Sequence, residues 1–294
     1  MQFGAHISIA GGIEKAPERA HKIGCECFQM FSRSPHGGKA KEITESTISN
    51  FKKYCQKYNL KNYYIHTPYY INLASANNRI YYGSVSAIKK ELENADLLGA
   101  RAVVTHLGSA KDLGKKEAEK KLAEGLKKIF QLSPASEKIE AENKEIKFNA
   151  KLLLEITAGA GEIMGDNFEE IAYFIKEAEK EIPKNSLGVC FDTAHAFASG
   201  YDLRNKKAVK KTFDDFDKII GLERLKLIHC NDSKVDLESH IDRHENIGYG
   251  KIGMEGFKAI IGEPRLNNLD FILETPLNKD RNDLKVLKEL RKNL

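Results

Sequence analysis

The sequence predicts an α/β protein with a single (β/α)8 barrel, and three observations support this fold class. Eight short apolar runs alternate with amphipathic segments along the chain. The runs are rich in Val, Ile, Leu and Phe and largely non-alternating, which is typical of parallel strands buried on both faces. The chain has 294 residues, and α/β barrels of about 250 residues commonly form one domain. We therefore predict one barrel domain covering residues 1–294.

The predicted elements follow one another in a regular order. The predicted strands cover residues 3–9, 25–31, 63–66, 102–106, 152–156, 187–191, 225–229 and 271–274. The predicted helices cover residues 13–23, 46–58, 84–98, 115–130, 167–178, 207–220, 255–261 and 280–290. Ser46 and Ser84 are candidate N-caps of the second and third helices, and Gly99 is a candidate C-terminal cap of the third. Eight strand–helix units in a chain of this length indicate a barrel.

An open doubly wound sheet is the alternative fold, but it would need a Gly-rich phosphate turn after the first strand, and Gly11-Gly12 lacks the full G-x-G-x-x-G spacing.

The polar and charged segment 133–149 lies where the chain has more length than one helix needs. We predict a surface insertion there, partly disordered or with a short extra helix.

Composition limits the location and the partners of the protein. The net charge of +5 and the pI of 8.7 permit a polyanionic partner without requiring one. The five cysteines, an odd number, argue against a disulfide framework, and we expect buried thiols in a reducing compartment. The N-terminus lacks the pattern of a signal peptide, and no apolar stretch approaches the roughly 20 residues of a membrane helix. We expect a cytoplasmic location and no membrane partner.

A segment rich in His, Asp and Gly, residues 229–253, contains the first candidate metal ligands. His229 ends the seventh apolar run. Asp242 and His244 lie later in the segment and are separated from each other by one residue. In extended chain, side chains at i and i+2 point to the same side, so this pair is suited to one cation. Ligands of the His and Asp type suit zinc better than calcium or magnesium.

Similar residues end the other apolar runs, where a barrel of this kind has its active site. Five His and four carboxylates occupy or follow these ends: His66, His106, Glu155, Asp192, His195, His229, Asp242, His244 and Glu274. Each alone has an ordinary interpretation as a hydrogen-bonded core His, a salt-bridge partner or a helix cap. Nine at one rim indicate a cation site instead, because unpaired charges are costly to bury. We interpret His6, on the first strand, as structural or as support for the ligands.

The number of candidate ligands bears on the chemistry. Nine are too many for one zinc, which takes three or four protein ligands, but with one bridging carboxylate they suffice for three. Such a cluster neutralises the non-bridging oxygens of a phosphodiester and lowers the pKa of bound water. The alternative to an enzyme that hydrolyses phosphodiesters is a sugar isomerase or epimerase. The sites of those enzymes bind one or two metals, rely on carboxylates and usually carry a lysine at a strand end, whereas imidazoles dominate here. A damaged-DNA-binding protein is a weaker alternative, because structural zinc sites are closed and commonly Cys-rich.

Several segments resemble those of a known family. They are GAHIS-x-AGG near the N-terminus, YIHTPY (64–69), HLG (106–108), VCFDTAHAFASGYD (189–202), HCNDSK (229–234), DRHENIGYGKIG (242–253) and LETP (273–276). In these segments the chain resembles the endonuclease IV family of zinc-dependent apurinic/apyrimidinic endonucleases. The resemblance covers nearly the whole chain, and all nine metal-ligand positions of the family are filled.

The resemblance implies a trinuclear zinc site and a DNA repair activity. The implied ligand sets are His66 and His106 with Glu155 as a bridge, then Asp192, His229 and Glu274, then His195, Asp242 and His244. The implied reaction is hydrolysis 5′ to an abasic site in duplex DNA, which leaves a 3′-OH, and members of the family also remove blocking groups from 3′ ends. Glu155 and Glu274 are the implied catalytic carboxylates, and we expect a monomer.

The resemblance also suggests contacts with DNA. In the family, loops after the second and third strands enter the minor groove, and here Tyr69 and Tyr70 are candidates for wedging or stacking at the vacated base, with rim packing as the alternative. His36 stands where the family has an inserted arginine, so this chain departs from the usual wedge. Candidate phosphate contacts, for which a solvated basic loop is the alternative, are Arg33, Lys39 and Lys41.

Overall fold

Eight parallel strands close into a barrel in the computed structural model, which describes residues 1–38, 42–131, 146–275 and 283–293. The barrel strands are β1 (Gln2–Ile7), β2 (Cys27–Phe31), β3 (Tyr63–His66), β4 (Ala102–Thr105), β5 (Lys151–Glu155), β6 (Leu187–Asp192), β7 (Leu225–His229) and β10 (Asp270–Leu273). Strand order follows chain order, and β1 closes the barrel by pairing with both β2 and β10. The predicted fold class is confirmed, and the open-sheet alternative is wrong.

Helices alternate with these strands along the chain. They are α1 (Ala16–Lys22), α2 (Glu45–Lys57), α3 (Asn78–Leu98), α4 (Lys115–Ile129), α5 (Phe168–Ala178), α6 (Thr193–Ala198), α7 (Lys206–Ile219), α8 (Gly253–Ile261) and α9 (Asp283–Lys292). Gly99 ends α3 as predicted, with a φ of 86° that favours glycine. A short antiparallel pair, β8 (Asp232–Ser233) and β9 (His244–Glu245), follows β7 and is an addition to the regular pattern.

The N-caps predicted at Ser46 and Ser84 are wrong. Thr44 caps α2, and Asn77 caps α3, each through a side-chain oxygen that accepts a backbone N–H of the first turn. Ser84 lies inside α3, where its hydroxyl donates to the Ile80 carbonyl at 2.8 Å. A serine is therefore a weak marker of a helix start when an Asn stands one or two turns earlier, because the hydroxyl is equally satisfied by the preceding turn.

Some predicted boundaries shift, and some fall outside the described residues. β2 begins at residue 27, two residues later than predicted, because Cys25 N–H donates to the Ala20 carbonyl at the end of α1. β1 ends at Ile7, two residues earlier than predicted. Most of the predicted insertion 133–149 and the start of the last predicted helix lie outside the described residues.

Side-chain alternation divides the strand residues into two sets. One set points outward and joins the large core shared with the helices; Phe28, Ile65 and Val103 are examples. The other set packs as a separate apolar layer inside the barrel: Cys27, Tyr64, Ala102, Val104, Leu153, Cys190, Leu227 and Ile272. Because the period of a strand is two, the next inward position on each strand lies directly above this layer, toward the carboxyl ends.

The cysteines fit the expectation drawn from composition. All five lie in the described residues, and each is a buried free thiol. In the described parts of the chain, none of the helices combines the length and apolarity needed to cross a membrane.

Candidate metal centre

The nine predicted ligands lie together above the apolar layer, at the carboxyl-terminal mouth of the barrel. Six of them stand two residues after an apolar member of that layer: His66 after Tyr64, His106 after Val104, Glu155 after Leu153, Asp192 after Cys190, His229 after Leu227 and Glu274 after Ile272. The remaining three are His195, from α6, and Asp242 and His244, from the segment after β7, where His244 begins β9. The strand period therefore places six candidate ligands in one ring, and two local segments complete the set.

A first cluster of donor atoms combines two imidazoles with one carboxylate oxygen. Glu155 Oε2 lies 3.0 Å from His66 Nε2 and 3.0 Å from His106 Nε2. Glu155 and His66 are buried, and His106 is partly exposed. The donor atoms of these three residues lie close enough together to bind one metal ion.

A second cluster uses the other oxygen of Glu155. The distance from Glu155 Oε1 to His229 Nδ1 is 3.0 Å, and the distance from Glu274 Oε2 to the same nitrogen is 3.3 Å. Asp192 Oδ2 lies 3.8 Å from this nitrogen and completes the group. Glu155 is thus shared between the first and second clusters, one oxygen to each.

A third cluster lies on the side of the mouth next to α6. Asp242 Oδ1 is 3.3 Å from His195 Nε2 and 3.5 Å from His244 Nε2, and the two nitrogens are 3.3 Å apart. Asp192 Oδ2 also lies 3.6 Å from His244 Nε2. Asp192 therefore lies between the second and third clusters, much as Glu155 lies between the first and second.

The donor set and its spacing fit zinc. Zinc binds imidazole nitrogen and carboxylate oxygen at about 2.0–2.2 Å in tetrahedral geometry, which places neighbouring ligand atoms about 3.4 Å apart. The separations of 3.0 to 3.8 Å from donor atom to donor atom given above for the three clusters are close to this value. Five imidazoles among the nine candidate ligands favour zinc over magnesium or calcium, which bind oxygen.

Fixed acceptors hold the second nitrogen of three of the imidazoles. His66 Nδ1 donates to the Thr67 carbonyl at 2.7 Å, and His195 Nδ1 donates to the Ile156 carbonyl at 3.0 Å. His229 differs, because its Nε2, which points away from the cluster, lies 2.9 Å from the side-chain amide oxygen of Gln29. Such partners set the tautomer, so that the nitrogen facing the cluster carries the lone pair that a metal needs.

Asp192 has two roles, one for each oxygen. Oδ1 caps α6 by accepting the His195 backbone N–H at 2.9 Å, and Oδ2 faces the clusters. Asn231, which the sequence analysis missed, donates to Oδ2 at 2.7 Å and accepts the Glu274 backbone N–H at 2.8 Å. The capping and ligand interpretations of Asp192 are therefore compatible, since the cap orients the free oxygen.

Asp232, which the sequence did not single out, anchors the Gly-rich end of the loop that also contains the candidate ligands Asp242 and His244. Its buried carboxylate accepts backbone N–H groups from Gly248, Gly250 and Ile252 at 2.9, 3.0 and 3.0 Å. A Cβ on Gly250 would lie 2.3 Å from the Ser233 carbonyl oxygen, so the close approach requires glycine. The closely spaced glycines were the sequence signal for this contact. A turn of this kind exposes several backbone N–H groups on one side, and a nearby carboxylate can accept them.

Mutual electrostatics set the charges of the cluster. Burial would raise the pKa of Glu155, but the neighbouring His106 and His229 imidazoles outweigh it and hold that pKa well below its usual value. Burial would lower the pKa of His195, but Asp192, Asp242 and Glu155 raise it well above the usual value. Without metal the acids and imidazoles therefore compensate one another as ion pairs, and metal binding must displace protons from the imidazoles.

The residues predicted to contact DNA lie on the loops after β2 and β3. Tyr69 and Tyr70 keep 63% and 41% of their surface exposed, and Tyr69 lies 5.9 Å from the exposed His36 ring, measured between centroids. Arg33 is mostly buried, with its Nε 2.8 Å from the buried Glu91 carboxylate, so part of its guanidinium is engaged within the protein. The remaining two predicted phosphate contacts, Lys39 and Lys41, lie outside the described residues.

Known proteins resemble this chain over nearly its whole length. The family profile described as "Xylose isomerase-like TIM barrel" matches residues 17–292. A protein of Halothermothrix orenii named probable endonuclease 4 is 40% identical over 294 residues, with 100% of both chains covered. This chain belongs to the endonuclease IV family. A second member, the probable endonuclease 4 of Nitrosopumilus maritimus, is 36% identical over 99% of both chains.

Solved structures agree with this family assignment. The endonuclease IV of Thermus thermophilus superposes with a TM-score of 0.83 at 32% identity, covering 100% of both chains. A D-tagatose 3-epimerase-like protein superposes with a TM-score of 0.70 at 19% identity. At that identity the second likeness shows a shared barrel fold alone, whereas the first extends to the family.

Proposed function

We propose that this endonuclease IV family member hydrolyses the phosphodiester 5′ to abasic sites in double-stranded DNA, leaving a 3′-OH, with three zinc ions per chain. We also propose that it removes blocking groups from 3′ ends. The observation that supports the proposal most is the division of the Glu155 carboxylate between two donor clusters, with a third cluster beside them. Three neighbouring clusters of this kind match the chemistry of phosphodiester hydrolysis better than that of a sugar isomerase, which needs one or two metals.

The ligand assignment follows the clusters. The proposed sets are His66, His106 and Glu155; Glu155, Asp192, His229 and Glu274; and His195, Asp242 and His244. When bound there, zinc supplies positive charge to the phosphodiester oxygens and lowers the pKa of a bound water. Because the donors of the first two clusters lie on barrel strands or directly after them, and hydrogen bonds fix the outer nitrogens of His66 and His229, little rearrangement is needed on binding there.

Glu155 and Glu274 are the proposed catalytic carboxylates. Glu155 is completely buried and spans two clusters, so it sets the spacing between the first two subsites. Glu274 keeps 18% of its side chain exposed, and it is therefore the carboxylate of the second cluster that reaches the open mouth. A scissile phosphate entering the mouth would meet Glu274 before Glu155.

The rim next to the first cluster is suited to a damaged nucleotide. Tyr69 follows the ligand His66 by three residues, and its ring stands edge-on to Phe31 at 5.3 Å. Exposed aromatic rings at such a position are able to stack on a base or to wedge into the gap that an abasic site leaves. Flipping a nucleotide without a paired base costs less than flipping a stacked one, which supplies selectivity. We propose Arg33, His36, Tyr69 and Tyr70 as the DNA-contacting residues.

The proposal extends to the organisation of the protein. We propose that residues 1–294 act as one AP-endonuclease domain, as a monomer, in the cytoplasm. The single barrel and the five free, buried thiols support this view. A monomer suffices because every proposed ligand comes from the same chain.

One assay tests the activity directly. A duplex with a single tetrahydrofuran abasic analogue should be nicked on the 5′ side of the analogue, and the new 3′ end should be extended by a polymerase. An identical duplex without the lesion is the control and should stay intact. Metal analysis of the same preparation should give close to three zinc ions per chain. A chain that leaves both duplexes intact and interconverts ketohexoses would instead be a sugar epimerase, and the proposal would be wrong.

A further inference from the structure

The ring of inward-facing residues above the apolar layer has a member that is not among the proposed ligands. Gln29 stands two residues after Cys27, which belongs to the apolar layer, so the strand period places Gln29 at the level of the ligands. Its side chain is completely buried. A buried amide in a ring of imidazoles and carboxylates must satisfy its hydrogen bonds there, and its partners define its role.

Gln29 connects three other strands of the barrel. Its Nε2 donates to Glu274 Oε1 at 2.8 Å and lies 3.0 Å from His6 Nδ1. Its Oε1 lies 2.9 Å from His229 Nε2. The reverse orientation of the amide would set Oε1 against the Glu274 carboxylate, so electrostatic repulsion decides between the two orientations.

These contacts determine the state of His229. An imidazole nitrogen that faces a carbonyl-type oxygen must carry the hydrogen, so the neutral ring has its proton on Nε2 and its lone pair on Nδ1. Nδ1 is the atom that lies 3.0 Å from Glu155 and 3.3 Å from Glu274. The same amide therefore points the lone pair of His229 into the second cluster and restrains one oxygen of Glu274, leaving the other oxygen directed at that cluster.

We propose that Gln29 is a positioning residue for the second metal subsite, where it fixes the tautomer of His229 and the rotamer of Glu274. The inference rests on the proposed zinc sites. It also accounts for His6, whose Nδ1 accepts from Gln29 and whose Nε2 has no hydrogen-bond partner among the described residues. His6 thus ends a chain of contacts that begins at His229, consistent with a supporting role and not with that of a ligand.

The barrel offers a matched control at its opposite end. Asn62 is also a buried amide that donates to a carboxylate, at 2.7 Å from Asp270 Oδ2, beside the amino-terminal ends of β3 and β10. Removing either amide deletes a buried hydrogen bond to an acid. A general loss of stability should therefore be similar for both positions, whereas a loss of zinc should follow only from the change at Gln29.

The test compares the zinc-loaded wild type with Gln29→Met, Gln29→Asn and Asn62→Leu. Zinc per chain is measured against increasing chelator, and the His229 tautomer is read from long-range ¹H–¹⁵N correlations. We expect Gln29→Met to lose about one of three zinc ions at a chelator concentration roughly 10-fold to 100-fold lower than wild type, the usual effect of removing such a partner. Gln29→Asn, which keeps the amide but shortens its reach, should lose zinc in the same way and decides the matter if the Met variant does not fold.

The tautomer gives a readout that a purely structural role would not change. Wild type should show hydrogen on Nε2 of His229, and Gln29→Met should show a mixture. Asn62→Leu should keep three zinc ions and the wild-type tautomer, whatever its melting temperature. Equal zinc retention in wild type and both Gln29 variants, or equal zinc loss in Asn62→Leu, would overturn the inference. A wild type that binds no zinc would instead overturn the proposed function.

Discussion

Glu155 Oε1 lies 3.0 Å from Nδ1 of His229, while the second oxygen of Glu155 faces His66 and His106 at the same distance. One buried carboxylate therefore joins two donor clusters across the barrel mouth. Its position follows from strand β5, where Leu153 belongs to the apolar layer and Glu155 is the next inward residue. The relationship has consequences that mutation and metal exchange can measure.

Replacing Glu274 with Gln should abolish nicking while the fold stays intact. The substitution keeps the size of the side chain but removes the charge that lies 3.3 Å from His229 Nδ1. We expect kcat to fall by at least about 100-fold, comparable with the loss of one group that stabilises developing charge. Steady-state kinetics and thermal unfolding measure the two effects. Glu255→Gln, on the exposed surface of α8, is the control and should retain full activity. Retained activity in Glu274→Gln would remove that residue from the mechanism.

Removing the metal should abolish activity and lower the melting temperature. A ligand that binds only the folded state stabilises it by about 4 kcal/mol when its free concentration is 1,000 times its Kd. Zinc lost to a chelator should therefore shift thermal unfolding as well as activity, and added zinc should restore both. Magnesium should restore neither, because imidazole-rich clusters do not suit it. Full recovery with magnesium alone would argue against the zinc assignment.

Zinc affinity should rise with pH. Burial lowers the pKa of His106, but Glu155 outweighs it and raises that pKa, and the pKa of His195 is raised well above its usual value. Zinc must displace these protons, so its affinity should increase as the pH rises through the raised values. The metal-free chain should behave in the opposite way. Its protonated imidazoles stabilise the fold below the usual imidazole pKa of about 6.5, and this stabilisation is lost as the pH rises through the raised values. Titration calorimetry and thermal unfolding of the metal-free chain check the two signs.

Replacing Asp232 with Asn should disturb the third cluster selectively. The Asp232 carboxylate accepts four backbone N–H groups of the Gly-rich loop, from Gly248, Gly250, Ile252 and Gly253, and an amide would turn a donor toward some of them. A buried donor left without an acceptor costs about 1–3 kcal/mol, so the loop that carries Asp242 and His244 should loosen. We expect weaker retention of one zinc ion in chelator competition. Asp236→Asn, at an exposed residue near the same loop, is the control and should keep all the zinc of the wild type.

Replacing Tyr69 or Tyr70 with Ala should weaken binding to abasic DNA. Stacking of a base on an aromatic side chain contributes about 1–3 kcal/mol, which corresponds to a Kd raised by about 5- to 150-fold. Binding is measured by fluorescence anisotropy in the Glu274→Gln background, so that the duplex is not cut. Tyr173→Ala, on the outer surface of α5, is the control and should bind like its parent. If all three variants bind equally, the two rim tyrosines pack on the mouth without gripping DNA.

Sequence reasoning named the nine candidate ligands but not the residues that hydrogen-bond to them. The candidates stood out because unpaired charged side chains at the ends of buried strands are costly to bury. Gln29 obeys the same period of two, counted from Cys27, but an amide has no charge that would make its burial conspicuous. Asn231 and Asp232 were missed for a related reason, since their partners are backbone and side-chain groups distant in the chain.

The sequence by itself determined the eight barrel strands and the types of donor atom at their ends, because apolar runs and side-chain polarity are local properties of the chain. Only the tertiary structure decided which oxygen of Glu155 meets His66 and which meets His229, and that Gln29 stands between His229 and Glu274. These distances depend on how eight strands tilt and close into a barrel. Closure is a property of the whole sheet, and no short segment contains it.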